Sequence, residues 1–203
     1  MIELFITRHG ETMWNLEKRF QGWGNSELTE NGIAMAKNLA KVIDDNHIDT
    51  VFTSPLKRAY ETTLIAVGGR DLPVIVLEDL KEMNLGEWEG RRLVDLEKAE
   101  AERVAFYWNE PEKYHSREGE DFTEFIQRVR RAAEAMISQP SVKKALVVTH
   151  GMTVKALLHV LTGIEFKDIL KEPIMKQTSI TRIRLEDDQA QILIKGDTSH
   201  MEA

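Results

Sequence analysis

The 203-residue chain contains no cysteine, which excludes disulfides, thiolate zinc sites, iron–sulfur clusters and a cysteine nucleophile. No apolar run approaches the roughly 20 residues that a membrane-spanning helix needs, and the first residues lack the pattern of a signal peptide. Basic side chains number 27 and acidic ones 34, which gives a net charge of −7. Because such a charge repels nucleic-acid backbones, we expect no nucleic-acid partner. The lack of a signal peptide and of a membrane-spanning run predicts a cytoplasmic protein with no membrane partner.

What the chain does contain is an alternation of strand-like and helix-like segments. Short apolar runs at residues 2–7, 50–53, 74–77 and 145–149 predict buried strands. Helical apolar spacing follows Thr29, covers residues 122–136 and resumes after residue 151. This alternation predicts one α/β domain over residues 1–203, a three-layer α/β/α sandwich with a mostly parallel central sheet.

Three local features complete the predicted fold. Ser54-Pro55 predicts an N-cap and a first helical position for the helix that follows the second strand. The charged residues 93–108 indicate helix in an exposed insertion or lid, at about residues 91–120, rather than in the core. Near the end, residues 179–185 and 191–194, joined through 186–188, predict a hairpin.

Two of the predicted strands end in the dipeptide His-Gly, at His9-Gly10 and His150-Gly151. The carboxyl ends of parallel strands share one edge of a sheet, where ligands of α/β proteins bind. One histidine in such a place is more often structural, but two at equivalent edges indicate a functional site.

Charged side chains are expected at the same edge. Arg8 precedes His9, and Arg58 lies in a first helical turn, where its charge opposes the helix dipole unless an anion is bound. The alternative for Arg58 is a surface ion pair with Glu61 or Glu11. Three glutamates follow the third strand, and composition does not choose among them; they are Glu82, Glu87 and Glu89.

These residue types fit phosphoryl transfer. A neutral imidazole can attack phosphorus, arginines can neutralise the equatorial oxygens, and a carboxylic acid can protonate the leaving oxygen. Such chemistry depends on positioning and charge stabilisation, so no metal is required. A metallohydrolase that uses His9 and His150 as ligands is the alternative, although an adjacent arginine would repel the cation.

The ordered motifs resemble the histidine phosphatase superfamily, and within it the phosphoglycerate-mutase-like branch. They are Arg8-His9-Gly10-Glu11-Thr12, Trp14-Asn15, Gln21-Gly22, Leu28-Thr29, Ser54-Pro55-Leu56-Lys57-Arg58-Ala59, Glu82, Gly86, Glu89-Gly90 and Val148-Thr149-His150-Gly151. The resemblance implies that His9 is the nucleophile and that Glu82 is the proton donor. It implies phosphoryl binding by Arg8, Arg58 and His150, in a pocket completed by Asn15, Gln21, Gly22 and Gly151.

The chain departs from the family pattern at two places. It has Asn25-Ser26-Glu27 before Leu28, and Asp121 where the family usually has serine. Both positions are predicted to be structural, in a turn and at a helix N-cap. Neither change indicates a loss of activity, and a non-catalytic regulator on the same fold is disfavoured because His9, Arg58, Glu82 and His150 are all present.

The resemblance leaves two activities. A short region after Glu82 and a brief tail, residues 196–203, favour a phosphatase that acts on a small phosphorylated metabolite without a cofactor. A phosphoglycerate mutase is the alternative, and only then would a bisphosphoglycerate primer be needed. Apolar residues near the motifs suggest an aryl or nucleotide-like ester, although they fit an ordinary core equally well; they are Met13, Trp14, Trp23, Met83 and Trp88.

Overall fold

The computed structural model describes residues 1–187 and 189–201, and its centre is a six-stranded sheet. The strands are β1 (Ile2–Arg8), β2 (Thr50–Thr53), β3 (Val74–Val76), β4 (Lys144–Thr149), β5 (Ile180–Glu186) and β6 (Gln189–Asp197). Their order is β3-β2-β4-β1-β5-β6. The first four are parallel to one another, and β5 pairs antiparallel with both β1 and β6. The prediction of a mostly parallel sheet is confirmed.

Helices follow the strands. They are α1 (Met13–Leu16), α2 (Glu30–Asn46), α3 (Lys57–Val67), α4 (Leu93–Ala99), α5 (Ala101–Asn109), α6 (Phe122–Ile137), α7 (Gly151–Thr162) and α8 (Phe166–Leu170). Short 3-10 turns occupy Glu78–Leu80, Gly86–Trp88, Pro111–Lys113 and Ser199–Met201. Across 1–187 and 189–201, no helix has the length and apolar character needed to cross a membrane.

The sheet is covered on both faces because its strands alternate between two hydrophobic clusters. In β1, Leu4 and Ile6 belong to one cluster and Phe5 to the other, as the two-residue period of a strand requires. Apolar residues of α6 and α7 fill the first cluster, and those of α2 and α3 fill the second. The resulting three-layer α/β/α sandwich is the predicted architecture.

Most predicted elements are confirmed. The strands differ from prediction by up to three residues at an end, and the late hairpin is β5 with β6. Thr29 Oγ1 caps α2 by accepting the Gly32 N–H at 2.9 Å. Asp188, which belongs to the predicted connection 186–188, lies outside the described residues. The predicted N-cap at Ser54 is wrong, because α3 begins at Lys57 and Leu56 is its N-cap. The Ser54 hydroxyl instead accepts the Leu56 N–H at 3.2 Å.

Within the segment at 91–120, α4 and α5 cover the predicted helical residues 93–108, but the predicted exposure of these residues is wrong in part. Leu96, Val104 and Tyr107 are buried in the first hydrophobic cluster. Tyr107 packs edge-on against Trp88 and Tyr114, with ring centroids 5.8 and 5.2 Å apart. The charged residues lie on the outer side of amphipathic helices, so charge content alone did not reveal the apolar inner side.

The first turn of α2 packs directly on the backbone that follows β1. A methyl group at Gly32 would overlap the Glu11 carbonyl, and one at Gly10 would overlap the Gly32 carbonyl. Only glycine permits this approach. The contact holds the residues after His9 against a helix that is anchored in the second cluster.

Gly32→Ala should therefore lower the free energy of unfolding by about 1–3 kcal/mol, through overpacking. Gly69→Ala is the matched control, because a methyl there meets nothing within 4 Å. Both variants lose the same glycine flexibility in the unfolded chain, so the difference isolates the clash. Urea denaturation measures it, and equal stability of the two variants would contradict the close packing.

Candidate active site

The two histidines meet because β1 and β4 are parallel neighbours whose ends are in register. Arg8 pairs with Thr149, and the His9 N–H donates to the Thr149 carbonyl at 2.9 Å. The ring centroids of His9 and His150 are 5.3 Å apart. Both rings are buried. The prediction that the two strand ends meet at one edge of the sheet is confirmed by the parallel pairing of β1 with β4.

The tautomer of His9 follows from its hydrogen bonds. Nδ1 lies 2.7 Å from the Gly10 carbonyl, which can only accept, so Nδ1 carries the proton. Nε2 is left with its lone pair, which accepts from Arg58 Nε at 3.2 Å. Burial, followed by the positive charges of Arg58 and Arg8, holds the pKa of His9 well below its usual value. The imidazole is thus a neutral base with Nε2 available for bonding.

Two guanidinium groups flank this nitrogen. Arg58 is 1% exposed and donates to the carbonyls of Gly22 at 2.7 Å and Gly24 at 2.8 Å. The alternative of a surface ion pair with Glu61 or Glu11 is therefore wrong. Burial lowers the pKa of Arg58 to about 10, and Glu82 opposes that shift, so the group is charged at neutral pH.

Arg8 has fewer partners in this arrangement. Its Nη1 donates to the Met175 carbonyl at 3.3 Å, and its buried Nε meets no acceptor within the described residues. Burial lowers the pKa of Arg8, and the Glu82 carboxylate opposes this. A buried guanidinium N–H without an acceptor is expected to favour an anionic ligand.

Glu82 lies across the site at the N-terminus of α7. Its Oε2 accepts the Met152 N–H at 3.1 Å, and its Oε1 accepts the N–H of Thr153 at 3.2 Å and that of Met83 at 3.0 Å. The N–H groups of Met152 and Thr153 belong to the first turn of α7 and therefore have no partner within the helix. The carboxyl group is therefore fixed in orientation by backbone donors, and the other two predicted candidates, Glu87 and Glu89, do not line the cavity.

These groups border a cavity of about 240 Å³. Eight of the nine predicted site residues line it, namely Arg8, His9, Asn15, Gln21, Gly22, Arg58, Glu82 and Gly151. The ninth, His150, lies behind His9 and bonds through Nε2 to the Ser54 hydroxyl at 2.8 Å. A larger cavity of about 700 Å³ opens at the opposite edge of the sheet, beside Met1 and Val142, and these nine residues do not line it.

The remaining lining of the cavity is largely apolar, but the apolar residues in it are not those predicted. The cavity is lined in this part by Phe20, Leu85, Leu93, Tyr107, Trp108, Met152 and Ile174, with Lys18 and Arg19 also present. The five predicted apolar residues do not line it. Met83 and Trp88 are fully buried, whereas Met13 and Trp23 are largely exposed and Trp14 packs on Gly90.

Sequence patterns do not identify some residues of the site. The Ser54-Pro55 pattern predicts a helix cap, although the position of Ser54 at the end of a parallel strand also indicates a place in the site. Ile174 and Met175 come from the segment after α8, where no motif exists. A Cβ at Gly151 would lie 2.9 Å from Ile174 Cγ2, so this segment covers the site closely.

The two sequence departures are structural, as expected. The Ser26 hydroxyl accepts the Trp14 N–H at 2.9 Å, and Asp121 is the N-cap of α6, where its N–H donates to Glu124 Oε2 at 3.2 Å. Neither residue lines the cavity.

The His9 geometry predicts a specific titration behaviour. Since the folded-state pKa of His9 is lowered, the ring should stay neutral at about pH 6, with the proton on Nδ1. Its contribution to stability is fully present above about pH 6.5 and is lost as the pH falls, because only the unfolded chain takes up the proton. Ring ¹⁵N NMR measures the tautomer, and a proton on Nε2 or a midpoint near 6.5 would contradict it. His9→Gln should lose less stability than the wild type between about pH 7 and pH 5.

Known proteins are similar to this chain in sequence and in fold. The model of the histidine phosphatase superfamily (branch 1) matches residues 4–198. A protein of Erwinia tasmaniensis named "Probable phosphoglycerate mutase GpmB" is 30% identical over 209 residues, which cover 100% of this chain and 96% of that protein. The structure of Bacillus stearothermophilus YhfR is similar with a TM-score of 0.93 and 34% identity, over 100% of both chains. The alpha-ribazole phosphatase from Shigella flexneri gives a TM-score of 0.87 and 29% identity, over 97% of this chain and 96% of that one. The chain belongs to the histidine phosphatase superfamily.

Proposed function

We propose that this protein is a phosphatase that hydrolyses small phosphate monoesters through a phosphohistidine at His9, without a metal. The observation that carries the proposal is the neutral His9 ring, whose unprotonated Nε2 lies 3.2 Å from the Arg58 guanidinium at the cavity wall. A nucleophilic lone pair and two arginine cations together suit the attack on a phosphoryl group and the stabilisation of its charge.

In the first step, His9 Nε2 forms a bond to phosphorus and the bond to the ester oxygen breaks. Glu82, as the neutral acid, gives its proton to that oxygen, so the alcohol leaves uncharged. The ring becomes cationic, and its Nδ1 keeps its proton, which it donates to the Gly10 carbonyl at 2.7 Å. Arg8 and Arg58 hold the equatorial oxygens.

In the second step, the Glu82 carboxylate takes a proton from water while the water oxygen attacks phosphorus. The bond between phosphorus and His9 Nε2 breaks, and its electron pair returns to the ring. Inorganic phosphate leaves, and Glu82 is again the acid. His150 and Ser54 support this arrangement from behind His9.

The metal alternative is weaker for an electrostatic reason. The lone pair that a metal would need on His9 accepts from a guanidinium, and His150 Nε2 is directed to Ser54. A divalent cation next to Arg58 would be repelled. The same local positive charge also explains how a protein with a net charge of −7 can attract a phosphate ester.

The phosphoglycerate mutase stays the second candidate. It is favoured by Lys18 and Arg19, which line the cavity and could hold a carboxylate, and by the name of the Erwinia tasmaniensis relative. The apolar lining favours the phosphatase instead, because phosphoglycerate has no apolar part to place against Phe20, Leu93 and Trp108. A bisphosphoglycerate primer would be required only for the mutase.

The nucleophile is tested by trapping the intermediate. With an aryl phosphate and a chelator present, wild-type protein should form an acid-labile, base-stable phosphoprotein and release phosphate. His9→Ala should form none and lose at least about a thousandfold in kcat, whereas His47→Ala, at an exposed position, should behave as wild type. Activity that disappears with the chelator, or that survives His9→Ala, would refute the proposal.

Conversion of 3-phosphoglycerate in the presence of the primer distinguishes the two candidates. Release of inorganic phosphate supports the phosphatase, and formation of 2-phosphoglycerate supports the mutase.

The apolar lining predicts an aryl or nucleoside-like alcohol part. Leu93→Ala should raise KM for naphthyl phosphate by about tenfold, or ~1.4 kcal/mol, because Leu93 lines the cavity. The neighbouring Val94→Ala is the control, since that side chain is exposed. Glycerol phosphate should be insensitive to both changes, and an equal effect on the two esters would contradict an apolar subsite.

A further inference from the structure

A buried arginine on α6 holds the chain segment that carries Glu82. Arg128 is 8% exposed and lies outside the cavity. Its Nη1 donates to the Asp79 carbonyl at 2.9 Å and the Lys81 carbonyl at 3.0 Å, and its Nη2 donates to the Glu82 carbonyl at 3.0 Å. One guanidinium therefore ties three carbonyls of four consecutive residues to a core helix.

The orientation of this guanidinium is itself fixed by a carboxylate. Glu120 accepts from Arg128 Nε at 2.6 Å and from Nη2 at 2.7 Å, a bidentate pair. Glu120 Oε2 also accepts the Asn84 N–H at 2.8 Å, on the far side of Glu82. The pair thus holds the backbone both before and after Glu82.

The Glu82 carbonyl receives a second donor as well. Trp23 Nε1 donates to it at 2.7 Å, so both lone pairs of this oxygen are used. The Glu82 carboxyl group meanwhile accepts the first N–H groups of α7. The residue is held at its backbone from α6 and at its side chain from α7, with few torsions left free.

We propose that Arg128, oriented by Glu120, is a positioning residue for proton transfer by Glu82. This inference rests on the proposed function, in which Glu82 protonates the leaving oxygen. Such a transfer requires hydrogen-bond distance to the ester oxygen. Residues 79–84 belong to no strand, so side chains hold this segment: Arg128 and Glu120, together with the hydroxyls of Thr149 and Thr153, which donate to the Leu80 and Lys81 carbonyls at 2.7 and 2.9 Å. A purely structural role for Arg128 would slow every substrate equally, whereas a positioning role makes the loss depend on the leaving group.

The test compares two esters that each carry one benzene ring and that differ in the acidity of the alcohol they release. 4-Nitrophenyl phosphate releases an anion that is stable at neutral pH and needs little protonation. 2-Phenylethyl phosphate releases an alkoxide that must be protonated. The ratio of their kcat/KM values reports the formation of phosphohistidine, the step in which only the leaving group differs.

Arg128→Lys keeps the charge but cannot bridge three carbonyls and a carboxylate. We expect kcat/KM for the alkyl ester to fall by about 10- to 100-fold, within the range of general acid catalysis, and the value for the nitrophenyl ester to fall less than about threefold. Glu82→Gln should show the same selectivity to a greater degree. If Arg128→Lys does not fold, Glu120→Gln, which preserves size and weakens the pair, should give the same selective loss at smaller magnitude.

Arg131→Lys is the matched control on the same helix. Arg131 binds the same segment, through the Asp79 carboxylate at 3.0 Å, but its side chain is largely exposed and it does not touch the Lys81 or Glu82 carbonyls. It should leave both esters unchanged. An equal fall for both esters in the folded Arg128 or Glu120 variant, or no fall in either, would overturn the inference.

Phosphohistidine trapping in the wild type distinguishes a failure of the proposed function from a failure of the positioning role of Arg128. Absence of the intermediate with both esters would refute the proposed function itself. Its presence, without leaving-group selectivity in the Arg128 variant, would refute only the positioning role.

Discussion

The site depends on the parallel pairing of β1 with β4. The hydrogen bond from the His9 N–H to the carbonyl of Thr149, the last residue of β4, continues the ladder by one residue beyond β1 and sets the two histidine rings side by side. A shift of register by one residue would turn one ring to the opposite face of the sheet. Both strands are buried on both faces, and the packing of their apolar side chains fixes the register. The core packing therefore sets the relative positions of the two histidines.

That pairing creates an electrostatic problem, which the surrounding backbone solves. A buried guanidinium, that of Arg58, and a half-buried one, that of Arg8, lie beside neutral imidazoles in a protein with seven more acidic than basic side chains. Carbonyls of Gly22 and Gly24 satisfy Arg58 without neutralising its charge. Hydrogen bonds to neutral carbonyls make burial tolerable and leave the net positive charge for a ligand, whereas a carboxylate partner would have cancelled it.

Much of the fold can be predicted from the sequence, and eight of the nine predicted site residues line one cavity. Their roles in phosphate binding stay predictions. His9, Arg58 and His150 follow strands, and the shared edge of parallel strands brings such residues together whatever the intervening loops do. The apolar residues that line the cavity were not predicted, because their meeting depends on contacts between segments that are far apart in the sequence. Ile174 and Tyr107 come from segments with no positional rule, and Arg8 reaches a carbonyl 167 residues away. Met83 and Trp88 are near the motifs in sequence, yet they point into the core.

The polar and the apolar lining of the cavity come from different elements. The polar residues are held by strand ends, by the N-terminus of α7 and by Arg128 of α6, which pairs with Glu120 just before that helix. The strands, α6 and α7 all contribute to the main hydrophobic cluster. The apolar lining comes largely from α4, α5 and the segment after α8. None of these segments carries His9 or Glu82. The relatives carry both mutase and phosphatase names on the same fold, and this division of labour gives a physical reason why one scaffold can serve both.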